Sequence, residues 1–144
     1  MRPSIPSALK DCPLAHLAIA VESLAAATPL YVSLGFTPHE PEVVEREKVR
    51  VQLMEQGLLR IELLEPLNPG EGPIGKYLLK RGPGLHHVAL LCPALDQRLV
   101  LLEKNGVRTL PGYPASGAEG SRVAFLDPKS TGGVLFELVQ LNAG

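Results

Sequence analysis

The feature of this 144-residue chain that most constrains its fold is an internal repeat. Each half has a strand pattern, then a helix pattern, then further strand patterns, and the halves end on the similar segments RIELLEP and LFELVQL. A duplicated unit in so short a chain predicts two modules that pack together around a shared site. Small α+β proteins without a repeat also alternate strands and helices, so this pattern alone leaves both interpretations open.

The first half begins with a segment, LAHLAIAV (14–21), whose apolar residues alternate in period two and predict a strand. Ser23 is a suitable N-cap for a helix over 24–34, and Gly35 is the type of residue that ends one. Because Pro29 falls inside this range, the pattern predicts a late start or a kink.

The same rules predict the remaining elements and the boundaries of the modules. We expect strands at 49–54 and 58–64 joined by a GluGlnGly turn, a short helix at 74–80, strands at 85–92, 122–127 and 133–141, and a helix at 94–104 that ends at AsnGly. We interpret the chain as a loose N-terminal arm (1–13) and a single domain (14–144) with module one at 14–67, a linker at 68–83 and module two at 84–142.

Composition excludes several classes of protein. The net charge of -1 and the sequence pI of about 6.4 give no electrostatic basis for binding nucleic acid or a membrane surface. We find no apolar run long enough to cross a bilayer and no signal peptide, so we expect a cytoplasmic protein. In that compartment Cys12 and Cys92 are expected to be reduced thiols.

Four polar residues occupy repeat-equivalent positions in predicted strands. His16 and His87 lie in the first strand of each half, and Glu62 and Glu137 lie in the last, 46 and 50 residues further on. A single polar residue in a strand usually faces solvent, but four at equivalent positions favour a common site. Two imidazoles and two carboxylates suit a divalent ion such as Co²⁺, Ni²⁺, Zn²⁺, Fe²⁺ or Mn²⁺.

Other polar residues fit that site less well. His39 lies in a predicted surface turn, and the charged residues of 42–48 form a predicted solvated run. His86 precedes His87, and Glu65 follows Glu62 by three, so the two-residue period of a strand turns both to the opposite face.

Several strings, among them GPIGKYLLKRGPGLHHVAL, IELLEPL and RVAFLDPKSTGGVLFELVQ, resemble methylmalonyl-CoA epimerases of the vicinal-oxygen-chelate, or glyoxalase-like, superfamily. The resemblance runs from about 14 to 140. It implies an α+β fold in which two paired βαβββ modules form an open, barrel-like mixed sheet around a metal site. It also implies His16, Glu62, His87 and Glu137 as the metal ligands, with Co²⁺ the first choice and Mn²⁺, Ni²⁺ or Zn²⁺ possible.

The activity implied by the resemblance is epimerisation of (R)- and (S)-methylmalonyl-CoA through a metal-stabilised enolate, in a homodimer. Inversion needs proton transfer on two faces, and Glu137 resembles one of the two groups. The stretch 49–53, where some members carry a second glutamate, has no carboxylate, so water or Glu62 is left for that role. Lys129 and Ser130 are candidates for holding the substrate carboxylate or a coenzyme A phosphate.

Three alternatives stay open on the same fold. A glyoxalase I-type isomerase (lactoylglutathione lyase) would use the same four ligands on a glutathione hemithioacetal. An Fe²⁺ dioxygenase would use three ligands, and Glu62 as a fourth argues against it because oxygen chemistry needs open positions. A metal-free binding protein would have no use for the four ligands.

Overall fold

A computed structural model describes residues 8–142 of the chain. Those residues form nine strands and three α-helices: β1 (Leu14–Ala20), α1 (Leu24–Ser33), β2 (Thr37–Pro38), β3 (Glu42–Val44), β4 (Val49–Gln56), β5 (Leu59–Pro66), α2 (Gly72–Arg81), β6 (Gly84–Leu91), α3 (Leu95–Lys104), β7 (Ala115–Ser116), β8 (Arg122–Phe125) and β9 (Phe136–Gln140). The pairing is mixed, parallel and antiparallel, which confirms the α+β prediction.

The described residues fall into two compact units. The first unit is His16–His87, and the second unit is made of 8–15 and 88–142. Strands β1 and β6 contribute residues to both units. Strands and helices follow the order strand, helix, strands in each half, so the prediction of paired βαβββ modules is confirmed; the prediction of a single domain at 14–144 stays a prediction.

The first unit is built on an antiparallel hairpin flanked by a parallel strand. Its strand order is β2-β4-β5-β1, with β3 also paired to β4. Strands β4 and β5 are in register from Val49↔Pro66 to Gln56↔Leu59, and β1 runs parallel to β5. The hairpin loop is Gly57 and Leu58, so the predicted GluGlnGly turn lies too early in the chain. Gly57 has a φ of 58°, a value that glycine adopts at little cost in a tight hairpin turn.

Both faces of the sheet in the first unit are covered by apolar side chains. On one face, residues of α1 pack on Met54 and Leu63, together with Phe36, which directly precedes β2. Met54 and Leu63 are both fully buried. On the other face, Ile74 of α2 packs against Ala18 and its apolar neighbours on β4 and β5. The two-residue period of each strand separates the two sets, because successive side chains point to opposite faces.

Helix α1 begins at Leu24, directly after the predicted Ser23 cap. The Ser23 hydroxyl accepts a hydrogen bond from Ala26 N at 3.2 Å, and a Glu65 carboxylate oxygen accepts another from Leu24 N at 3.0 Å. A carboxylate at a helix N-terminus is stabilising because the first amides have no partner in the helix. The helix starts at Leu24 and continues through Pro29, so the predicted late start is wrong.

The second unit has the strand order β6-β9-β8-β7, with β6 parallel to β9 and antiparallel pairing beyond it. Helix α3 packs through Leu95 and Leu102 on the fully buried Cys92 and Leu138. None of the helices in residues 8–142 is long and apolar enough to span a membrane.

The predicted loose arm is packed over its described part. Residues 1–7 lie outside the described range, but Ala8 is buried in the core cluster that α3 covers. Arg98 of α3 donates to the Asp11 carboxylate at 2.7 and 3.1 Å and to the Ala8 carbonyl at 3.0 Å. The Arg98 hydrogen bond lowers the pKa of Asp11. Residues 8–13 are therefore attached to the second unit instead of being loose.

Candidate metal centre

His16 and Glu62 face each other across two parallel strands of the first unit. Ala18 of β1 is in register with Glu62 of β5, and His16 lies two residues earlier on the same face as Ala18. His16 Nε2 lies 3.3 Å from Glu62 Oε1, and the two side chains are 8% and 18% exposed. The strand period and the parallel register together bring this imidazole and this carboxylate into contact.

His87 supplies a second buried imidazole in the first unit. It is 5% exposed, and its ring centroid lies 5.7 Å from that of His16 with an interplanar angle of 69°. Two imidazoles, one of them 3.3 Å from a carboxylate oxygen, form a nitrogen- and oxygen-rich group, which is the donor chemistry that borderline divalent metals prefer.

The contact between His16 and Glu62 fits two ligands of one ion. Metal–ligand distances of about 2.0–2.2 Å at ordinary coordination angles separate neighbouring ligand atoms by about 3.0–3.5 Å. The observed 3.3 Å between Nε2 and Oε1 lies in that range. His16 and Glu62 therefore have the spacing of two ligands of one ion, and His87 offers a further donor of the same chemistry.

Glu137 is a buried carboxylate in the second unit. It lies on β9, opposite Ala89 of β6 and Phe125 of β8, and is 8% exposed. Its side chain shares a sheet face with Val139, whereas the intervening Leu138 faces the cluster under α3. Burial of an ionised carboxylate is costly unless a positive charge or hydrogen bonds compensate it.

Two polar residues that the sequence predicts to lie outside the metal site, His39 and Glu65, make contacts away from it. His39 is exposed and its Nε2 contacts a Glu55 carboxylate oxygen, as a surface residue would. Glu65 accepts from Leu24 N and pairs with Arg50, on the face opposite Glu62. Both predictions are confirmed.

Lys129 and Ser130 lie in a single 3₁₀ turn, Pro128–Ser130, after β8. The Ser130 hydroxyl donates to the Asp127 carbonyl at 2.8 Å and accepts from Arg108 N at 3.0 Å. Asp127 caps this turn through Lys129 N at 3.0 Å. The hydroxyl of Ser130 is thus engaged within the turn, while the Lys129 side chain is exposed.

Glu42 is a further carboxylate on this sheet, at a position that the sequence predicts to lie in a solvated run. It is exposed, as predicted, and it belongs to β3, where it lies directly opposite Val51 of β4. Val51 shares its face with Leu53, the register partner of Glu62. Glu42 therefore lies on the Glu62 face of the sheet. No pattern in the sequence indicates this, because β3 is three residues long and its register depends on β4.

The chain is similar in sequence to a known protein family and to characterised enzymes within it. Residues 15–125 match the model of the Glyoxalase/Bleomycin resistance protein/Dioxygenase superfamily. The uncharacterized protein YqjC of Bacillus subtilis is 39% identical over 88% of this chain and 91% of its own length. The mitochondrial methylmalonyl-CoA epimerase of Homo sapiens is 36% identical over 88% of this chain and 73% of its own.

A solved structure is similar to this chain in fold as well as in sequence. A methylmalonyl-CoA epimerase in complex with methylmalonyl-CoA and NH4+ superposes with a TM-score of 0.84 at 34% sequence identity, covering 92% of this chain and 96% of that chain. Both fold and sequence are therefore similar to those of an enzyme seen with a coenzyme A thioester.

Proposed function

Because this chain belongs to the Glyoxalase/Bleomycin resistance protein/Dioxygenase superfamily, we propose that it is a metal-dependent methylmalonyl-CoA epimerase that interconverts the (R) and (S) forms. The observation that carries the proposal is the 36% identity with the human epimerase across 88% of the chain. The similarity to a structure in complex with methylmalonyl-CoA adds the substrate class, a coenzyme A thioester.

His16, Glu62, His87 and Glu137 would hold one divalent metal ion. Support comes from the 3.3 Å contact between His16 and Glu62, and from the burial of His16, His87 and Glu137, three residues whose donor atoms suit such an ion. Two carboxylates would balance the double positive charge in a poorly solvated interior. Co²⁺ is the first candidate, with Mn²⁺, Ni²⁺ and Zn²⁺ as alternatives that the same donors accept.

The chemistry follows from the acidity of the substrate. The C2 hydrogen lies between a thioester and a carboxylate, and its removal leaves an enolate whose charge must be stabilised. A bound divalent ion supplies Lewis acidity that offsets this charge. The chain's own contribution would be to orient the thioester beside side chains that are themselves buried, where electrostatic interactions are stronger than in water.

Proton transfer on the two faces of C2 needs two groups, because inversion removes a proton from one side and returns one to the other. We assign the first role to Glu137, a buried carboxylate. The second role needs a carboxylate on the same face of the sheet as Glu62. The residues of β4 on that face are the apolar Val49, Val51 and Leu53, followed by Glu55, which is already paired with His39 and Arg60. Glu42, opposite Val51 on that face, is therefore our candidate for the second carboxylate.

The remaining parts of the proposal concern substrate binding and assembly. Lys129 is an exposed cation that can pair with a substrate carboxylate or a coenzyme A phosphate, and we assign it to that task, with Ser130 holding the turn that carries it. We expect a homodimer, which sedimentation of the purified protein would test.

One assay tests the proposed activity. Purified protein reconstituted with Co²⁺, Mn²⁺, Ni²⁺ or Zn²⁺ is incubated with methylmalonyl-CoA in deuterated water, and the mass of the thioester is followed. We expect a gain of one deuterium at C2 that requires added metal. Absence of exchange with all four metals would refute the epimerase, and turnover of a glutathione hemithioacetal in a parallel sample would favour the glyoxalase alternative.

A further inference from the structure

Two adjacent histidines of β6 contact each other through their rings. His86 Nδ1 lies 2.8 Å from His87 Nδ1, and the ring centroids are 5.0 Å apart with an interplanar angle of 78°. This distance is a hydrogen bond, and between two neutral imidazoles one nitrogen must carry the proton while the other offers its lone pair. The contact therefore links the tautomers of the two rings.

The tautomer of His87 determines which of its nitrogens can bind a metal. A neutral imidazole has one N–H and one lone pair, so a proton on Nδ1 leaves the lone pair on Nε2. Metal-binding histidines commonly donate their other N–H to a fixed acceptor, which sets both the tautomer and the ring orientation. His86 Nδ1 lies at the position of such an acceptor.

His86 is itself held in place by α2. The Tyr77 ring packs edge to face against the His86 ring, with centroids 4.9 Å apart and an interplanar angle of 85°. The Tyr77 hydroxyl donates to the Leu85 carbonyl at 2.8 Å, so this ring is attached to the strand next to His86. Tyr77 is partly buried and packs against the apolar cluster that contains Ile74, which limits the movement of its ring.

We propose that His86 is a positioning residue for the proposed metal ligand His87. His86 accepts the Nδ1–H of His87 and so directs the Nε2 lone pair of His87 to the ion; this inference rests on the metal site of the proposed function. His86 does not contact the reacting atoms. Its role is to hold the buried imidazole in the tautomer and rotamer that binds metal, with Tyr77 limiting the movement of its ring.

Three variants separate the hydrogen bond from the packing. His86→Phe keeps an aromatic ring against Tyr77 but removes the acceptor, and we expect the Kd for Co²⁺ to rise about 10–100-fold. His86→Asn restores an acceptor near the Nδ1 position and should bind Co²⁺ within about fivefold of the parent. Tyr77→Phe keeps both rings and should leave the Kd within about threefold.

A second readout needs neither metal nor substrate. Nitrogen-15 NMR of the histidine rings in the metal-free protein should show His87 protonated at Nδ1 in the parent and in His86→Asn, and a mixture of tautomers in His86→Phe. The inference is overturned if His86→Phe binds Co²⁺ as tightly as the parent, or if His87 is protonated at Nε2 in the parent. Neither readout uses a coenzyme A thioester, so a negative result here can be distinguished from a failure of the epimerase assay.

Discussion

Replacing Glu62 with leucine removes one of the four proposed metal ligands while keeping a side chain of similar size. In the first unit the Glu62 carboxylate lies 3.3 Å from His16 Nε2, so the substitution deletes the oxygen donor next to the first imidazole. We expect the variant to fold, because Glu62 is not among the buried residues of either apolar cluster in the first unit. Its affinity for metal should fall.

The size of the loss follows from the place of Glu62 in the proposed site. Its carboxylate oxygen lies 3.3 Å from His16 Nε2, the spacing of two ligands of one ion, so the substitution would remove a ligand itself. Loss of a residue that only orients a metal ligand lowers metal affinity about 10–100-fold, and loss of a ligand costs at least as much. We therefore expect the Kd for Co²⁺ to rise at least about 100-fold.

The measurement is a titration of metal-free protein with Co²⁺ in the presence of a competing chelator. The matched control is Glu65→Leu, the same substitution three residues further along the strand and on its opposite face. Glu65 accepts from Leu24 N and pairs with Arg50, so its loss should lower the free energy of unfolding by about 1–3 kcal/mol. Its Kd for Co²⁺ should stay within about threefold of the parent.

Thermal unfolding provides an independent check on the same pair of variants. Saturating metal stabilises a protein by RT ln(1 + [L]/Kd), so a 100-fold weaker Kd removes about 2.7 kcal/mol of metal-linked stability. The metal-induced rise in Tm should therefore shrink in Glu62→Leu and persist in Glu65→Leu. Equal Co²⁺ affinity in Glu62→Leu and the parent would refute Glu62 as a ligand and would favour a three-ligand site.

Three further predictions address the remaining residues. Glu137→Ala should abolish both Co²⁺ binding and deuterium exchange at C2, and retained exchange would remove Glu137 from the mechanism. Glu42→Gln should bind Co²⁺ normally but lose at least about tenfold in kcat for epimerisation, because general acid–base catalysis contributes about 10²–10⁴-fold. An unchanged kcat would show that Glu42 is only a solvent-exposed residue with no catalytic role. Burial, together with a hydrogen bond to Cys12, raises the pKa of the Cys92 thiol, so less thiolate is present at any given pH. Ellman's reagent at pH 8 should therefore modify Cys92 only after the protein unfolds.

The sequence was informative where local patterns decide the structure. The Ser23 cap and Gly35 locate α1 because both act through backbone groups within one turn of the helix ends. Pro29 was misleading: it removes one donor inside the helix, yet the helix forms because α1 packs on the sheet through Leu24 and its neighbours. Tertiary packing overrides a local penalty of this kind.

Register between strands is what the sequence could not supply. The two-residue period indicates that Glu62 and Glu65 face opposite ways, and they do. The period does not indicate which residue of a neighbouring strand lies on the same face as Glu62. For this reason the sequence predicts only that Glu42 is solvated. The strands β2, β3 and β7 are two or three residues long and exist only through their pairing with longer partners, so their patterns are too short to detect.

The most direct test of the account is a crystal of the cobalt-loaded protein measured at the cobalt absorption edge. We predict one anomalous peak per chain, within about 2.0–2.3 Å of ligand atoms from His16, Glu62, His87 and Glu137. The absence of a peak in fully loaded crystals, or a peak that any of these four side chains fails to reach, would contradict the proposed metal centre and the epimerase mechanism that depends on it.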